Sequence, residues 1–188
     1  MPGQISLTRE QYVESIRALM AAAEALATKY DMRQLTWQPL AGEGWSMLEC
    51  LDHLTVSTGL TLDAIESAAG DARAGAGEFR SGGAPSEWFL KRLEPPPSKK
   101  VPAPASFRPR PTLNPEGVLP QFQQAMERTL ALVRNSAGKD LNGVRYRNPV
   151  LPLIRFTAAS GLLIIAAHGR RHLWQAEQVA KDADFPAA

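Results

Sequence analysis

The stretch from Gly70 to Leu113 limits the fold more than any other part of this 188-residue chain. Gly70 to Pro85 is rich in glycine and alanine. Pro95-Pro96-Pro97 interrupts any helix, and residues 98–113 carry Pro102, Pro104, Pro109 and Pro111. Proline fixes φ and removes a backbone donor, so this part is extended or irregular. So long a connection is unusual inside a compact domain. It suits a crossover running the length of a helical bundle better than a tight hairpin. A linker between two domains is the alternative, but neither flank has enough helix to close a core alone. Residues 1–188 are therefore read as one domain, and 44% apolar residues suffice for its core.

Both flanks carry helical periodicity. Thr8 with Gln11 forms a capping box, and Tyr12, Ile16, Leu19, Ala23 and Leu26 then recur at helical spacing, which predicts a first helix over 8–29. Residues 31–44, with Pro39, Gly42 and Gly44, read as a loop. Ser46 with Glu49 forms a second box, and Leu48, Leu51, Leu54, Leu60 and Ile65 carry a second helix to about Ala69. Inside the crossover, Ser86 to Leu93 reads as a short helix. A third helix starts at Asn114-Pro115, or becomes regular only at Pro120, with Phe122, Met126, Leu130 and Val133 as its stripe and Gly138 as its stop. After a loop over 139–152, a fourth helix spans about 157–181. No alternation of β-branched residues predicts a sheet. The expected fold is all-α, a four-helix bundle with the Pro-rich crossover between helices two and three.

The chain has three histidines, His53, His168 and His172. His168 and His172 are four apart on one helix, hence on one face about 6 Å apart along the axis. Two imidazoles at that spacing can share a metal ion. The residues between them are Gly169-Arg170-Arg171, so the glutamate of the zinc-protease helix motif is missing. His53 lies on the rim of the second helix's stripe and reaches the pair if helices two and four are neighbours. Three imidazoles would leave a coordination position for water or substrate. A single histidine on an apolar face is more often a core residue; it is the triple that points to a metal.

Trp45-Ser46-Met47-Leu48-Glu49-Cys50-Leu51-Asp52-His53-Leu54 resembles the second-helix signature of the DinB-like superfamily, metal-dependent helical bundles. His168-Gly169-Arg170-Arg171-His172-Leu173-Trp174-Gln175 resembles its last-helix signature. The resemblance implies that His53, His168 and His172 are the ligands, that a long crossover follows helix two, and that the protein is a homodimer. The family includes thiol transferases and isomerases, so a low-molecular-weight thiol is one candidate substrate.

Other residues near the motifs have plainer readings. Glu49, one turn before His53, is the candidate catalytic base, although capping explains it fully. Cys50 can be a zinc ligand by chemistry but reads better as a small core residue. Asp52 is expected to face solvent. Arg170 and Arg171 lie about 100° and 200° from the ligand face and read first as solvated surface, with a neighbouring carboxylate or the pocket rim as the alternative for one of them; Lys99, Lys100, Arg108 and Arg110 around Phe107 also read as solvated surface. Trp45 and Trp174 are expected to pack against helix ends.

The net charge of +2 is too balanced to make nucleic acid or an anionic membrane the main partner. Gly161 to Ala167, the most apolar stretch, is far short of the roughly 20 residues of a membrane span. No signal peptide is read at the start. One cysteine allows no intrachain disulfide, and the cytoplasm is the expected location. The functional expectation is a metal-dependent enzyme, transferase-like or hydrolytic, acting on a small molecule with zinc or nickel. The alternative is a non-enzymatic stress-response bundle whose metal site is structural or vestigial.

Overall fold

The computed structural model describes residues 4–70, 72–75, 77–97, 102–149 and 153–187. Short polar caps start the helices. Thr8 accepts the Gln11 N–H while the Gln11 side chain returns to the Thr8 N–H, and α1 runs from there over Arg9–Lys29. Asp31 and Gln34 make the same exchange ahead of α2, Met32–Thr36. Ser46 and Glu49 repeat it ahead of α3, Met47–Ala69. The first and third boxes agree with the sequence reading. The second corrects it, because residues 31–44 hold a helix too short for apolar periodicity to reveal.

The short crossover helix, α4, spans Ala84–Leu93. The next, α5, spans Pro115–Asn135 and continues through Pro120, so its regular part does begin at Pro115. Thr157 caps the last, α6, Ala158–Val179. The expectation of no sheet needs a small correction. Two antiparallel ribbons form: β1 (Ser6–Leu7) with β2 (Phe79–Arg80), and β3 (Arg145–Arg147) with β4 (Arg155–Thr157). Strands of two or three residues are too short to show alternation. Lys99 and Lys100, named above, and the end of the 139–152 loop lie outside the described residues.

Four long helices close a ring in which α1 packs on α5 and α6, and α3 packs on the same two. Arg9, at the start of α1, donates to the Val133 carbonyl near the end of α5, at 3.1 Å, so these two run antiparallel. Arg128 of α5 reaches Asp63 and Glu66 of α3 at 2.6 and 2.5 Å. Earlier along both helices, Arg110 bridges Asp52 of α3 and Gln121 of α5. These two contacts run in the same order along both chains, so α3 and α5 are parallel neighbours. No hairpin joins parallel helices. The connection must travel back along the 23 residues of α3, a distance of about 35 Å. This is the physical reason for the long crossover.

The core is one cluster fed by all four long helices, with Tyr12, Ile16, Leu54, Phe122, Met126 and Leu162 fully buried. Where α6 crosses α3, its backbone comes so close that a Cβ on Gly161 would stand 2.7 Å from Ile65 Cδ1 and from the Tyr146 hydroxyl. Gly59, in the middle of α3, has nothing within 4 Å of the same atom. One substitution should therefore have opposite signs at the two sites. Gly59→Ala is expected to stabilise by about 0.5–1 kcal/mol through helix propensity. Gly161→Ala gains that amount but costs about 1–3 kcal/mol of overpacking, a net loss. Urea unfolding midpoints of the two variants check this.

Candidate metal centre

His53 stands in the second turn of α3, and His168 and His172 are in the second half of α6. Because α3 and α6 are antiparallel, the start of one meets the end of the other. The three rings gather there with centroids 4.4 to 4.9 Å apart. One ring nitrogen from each lies within 4.8 Å of the others. His53 and His172 are buried and His168 is half-buried. Trp45, just before the α3 cap, covers the cluster with its ring 4.8 Å from that of His53 and 5.8 Å from that of His172. The tryptophan does more than pack against a helix end.

Proton positions follow from the partners. Nδ1 of His53 meets the Phe107 carbonyl, which can only accept. The proton is therefore on Nδ1, and Nε2 carries a lone pair. Ser57 Oγ donates to the Leu54 carbonyl at 3.2 Å, which leaves it to accept from His168 Nδ1 at 3.4 Å. That puts a second lone pair on His168 Nε2, facing His53 Nε2 at 3.1 Å. Nδ1 of His172 is buried with no hydrogen-bond partner among the described residues.

Two facing lone pairs repel unless a cation or a proton stands between them. Burial disfavours the proton. It pushes His168 and His172 well below the ordinary value of 6.5, with neighbouring imidazoles and Arg171 adding to the effect. Burial also lowers His53, partly opposed by the Phe107 carbonyl. A divalent ion would relieve the same repulsion, and the donor set could hold one. Zinc sits about 2.0–2.1 Å from imidazole nitrogen, which puts two tetrahedral ligands about 3.3–3.4 Å apart; the His53 and His168 Nε2 atoms are 3.1 Å apart, and the three ligand nitrogens lie within 4.8 Å of one another. The carbonyl behind His53 is the kind of partner that orients a metal-binding imidazole.

Glu49 lies outside this cluster. Its carboxylate accepts the Ser46 N–H at 2.7 Å and the Gln38 amide at 2.9 Å. Cys50 is fully buried in the core, and burial pushes its thiol pKa far up. The expectation for Asp52 is overturned. Its side chain is fully buried and accepts the Arg110 backbone N–H at 2.7 Å and Nε at 2.8 Å. This pair pins the crossover to α3 three residues beyond Phe107, so it also steadies the carbonyl that holds His53. Of the two readings for Arg170 and Arg171, the one that lets them reach a carboxylate or the pocket rim is the one found. Arg170 pairs with Glu94 and Ser15, and Arg171 donates to the Arg92 carbonyl at 3.1 Å and lines a cavity.

That cavity, of about 1010 Å³, opens on the three histidines. Trp45, Trp88, Phe89 and Trp174 give it an aromatic wall, and Arg108 belongs to its rim of crossover residues. Sequence reasoning missed Ser57, Asp52 and the Phe107 carbonyl as parts of the site. Ser57 had a signal, being one turn after His53 on the same face. A backbone carbonyl has none.

The DinB superfamily model matches residues 11–176. The chain belongs to the DinB superfamily. A search of curated proteins returns no match. Among solved structures the chain is similar to YfiT from Bacillus subtilis, described as a probable metal-dependent hydrolase with an unusual four-helix bundle topology. The two are 16% identical over 96% of this chain and 92% of the other, with a TM-score of 0.61. At that identity the likeness bears on the fold.

Two outcomes are expected. In the unfolded chain histidine titrates near 6.5, while the folded site holds its imidazoles neutral to lower pH. The stability of the metal-free protein is therefore full above 6.5 and falls as pH drops from there toward the depressed values. Urea unfolding between about pH 7.5 and 5 should show this decline, with a shallower slope in the His168→Asn/His172→Asn double variant. An equal slope in both contradicts the assignment. Asp52→Asn should cost about 1–3 kcal/mol of stability and weaken metal binding by about tenfold with all three ligands intact, as read by competition with a chelator.

Proposed function

We propose that His53, His168 and His172 hold one divalent metal ion and that the protein is a metal-dependent enzyme acting on a small molecule bound in the cavity above them. The observation that carries this reading is the convergence of three neutral imidazoles at the floor of an open, aromatic-walled cavity. A structural ion would have a closed fourth position. Neither Cys50 nor Glu49 joins the cluster, and His168 keeps part of its surface open.

An ion held by three neutral histidines would keep its full charge and would supply the means to activate a water or a thiol near neutral pH. The chain's own residues orient and shield. Phe107 fixes the His53 tautomer, Ser57 that of His168, and the Trp45 ring keeps water off one side of the cluster. Glu49 is assigned to the helix cap, since its carboxylate is engaged by Ser46 and Gln38. Hydrolysis is the first reading of the reaction, in line with the description of YfiT. Transfer from a low-molecular-weight thiol is the second. One observation favours it: the cavity is at the upper end of the range for small-molecule sites, large enough for a thiol and an acceptor together. Zinc is the first metal, nickel the next.

Elemental analysis of the purified protein after zinc loading tests the reading. About one ion per chain and a raised melting temperature are expected for the wild type, and neither for His172→Ala. Equal, low zinc content in both proteins would refute it.

A further inference from the structure

The charge of the cavity wall is one-sided. Among the described residues its lining includes Arg92, Arg108 and Arg171, against a single acid, Glu43. Arg171 is next in sequence to His172, and Arg108 is next to Phe107, whose carbonyl holds His53. Two of the three cations are thus delivered by the same backbone that builds the histidine cluster. The bond from Arg171 to the Arg92 carbonyl brings α6 and the end of α4 together, so that two guanidinium groups share one wall. Burial opposes the charge on Arg171, and the neighbouring Arg92 adds to that opposition. A bound anion offsets both.

The rest of the wall is aromatic. Trp88 is 60% exposed, so its ring is accessible to a ligand in the cavity. The Arg92 guanidinium lies over its ring at 5.2 Å. Tryptophan faces and arginine forks in one cavity select a molecule with a flat apolar body and a negatively charged end.

We propose that the cavity binds an amphiphilic organic anion, its acidic end held by Arg171 and Arg108 and its apolar body laid against Trp88 and Trp174. The proposal deepens the enzyme reading and rests on it for the location of the substrate. The anion is placed beside the metal centre, so the reacting group of the molecule lies within reach of the histidines.

Three of the four tryptophans, Trp45, Trp88 and Trp174, line the cavity, so intrinsic fluorescence reports on its occupancy. Phenylbutyrate, phenylbutanol and phenylbutylamine share one apolar body and differ in charge. Titrated at fixed ionic strength into metal-free protein, phenylbutyrate should bind about tenfold or more tightly than phenylbutanol, and phenylbutylamine more weakly still. Arg171→Gln should abolish the preference. Arg108→Gln, on the exposed crossover where the bundle is untouched, should reduce it, which keeps the test decisive if the first variant folds poorly. Equal affinities for the three probes, or a preference unchanged in both variants, overturns the proposal. Repeating the titration with zinc separates it from the metal reading. A preference that appears only with zinc and disappears in His172→Ala overturns the arginine assignment and leaves the metal reading standing. A preference held by metal-free protein that takes up no zinc supports the arginine assignment and refutes the metal reading.

Discussion

The bond from His53 Nδ1 to the Phe107 carbonyl joins two parts of the chain 54 residues apart. One is a regular helix with a capped start. The other is a proline-rich connection with little regular structure. Without the bond, His53 would be free to carry its proton on either nitrogen and to turn about its side-chain torsions. With it, a lone pair is fixed toward α6. The cluster therefore depends on where the crossover lies, and the crossover lies where the bundle's topology sends it.

That topology has a simple origin. Parallel packing of α3 and α5 forces the connection to return along the bundle, and the way back passes the start of α3. The buried Asp52 carboxylate catches it there through the backbone and side chain of Arg110. A buried charge is expensive unless it is paired and hydrogen-bonded, and Asp52 meets that condition only when the crossover is docked. The same residues that close the fold thus position the carbonyl that holds His53. The return path also brings Arg108 over the cavity, and α4 brings Trp88, Phe89 and Arg92. A shorter connection would leave the histidines under open solvent.

What could be read from the sequence was local. The Thr8 and Ser46 boxes, the apolar stripes and the spacing of His168 and His172 depend on residues a turn or so apart, and the structure bears them out. The expectation that His53 reaches the pair needed only the neighbourhood of helices two and four. What the sequence hid was long-range or too short to have a period. Asp52 looks exposed because its partner, Arg110, is 58 residues on. Arg171 looks exposed because its angle on α6 faces away from the ligands, and nothing local reveals that the end of α4 covers it. The helix Met32–Thr36 and the two ribbons are shorter than any repeat. The Phe107 carbonyl is backbone and leaves no trace in residue type.

X-ray absorption at the zinc edge, on the zinc-loaded protein, tests the central claim most directly. The account predicts a shell of nitrogen and oxygen neighbours at about 2.0–2.1 Å whose outer scattering fits three imidazoles, with no sulfur. A sulfur neighbour at about 2.3 Å, or a spectrum with fewer than three imidazoles, would contradict it.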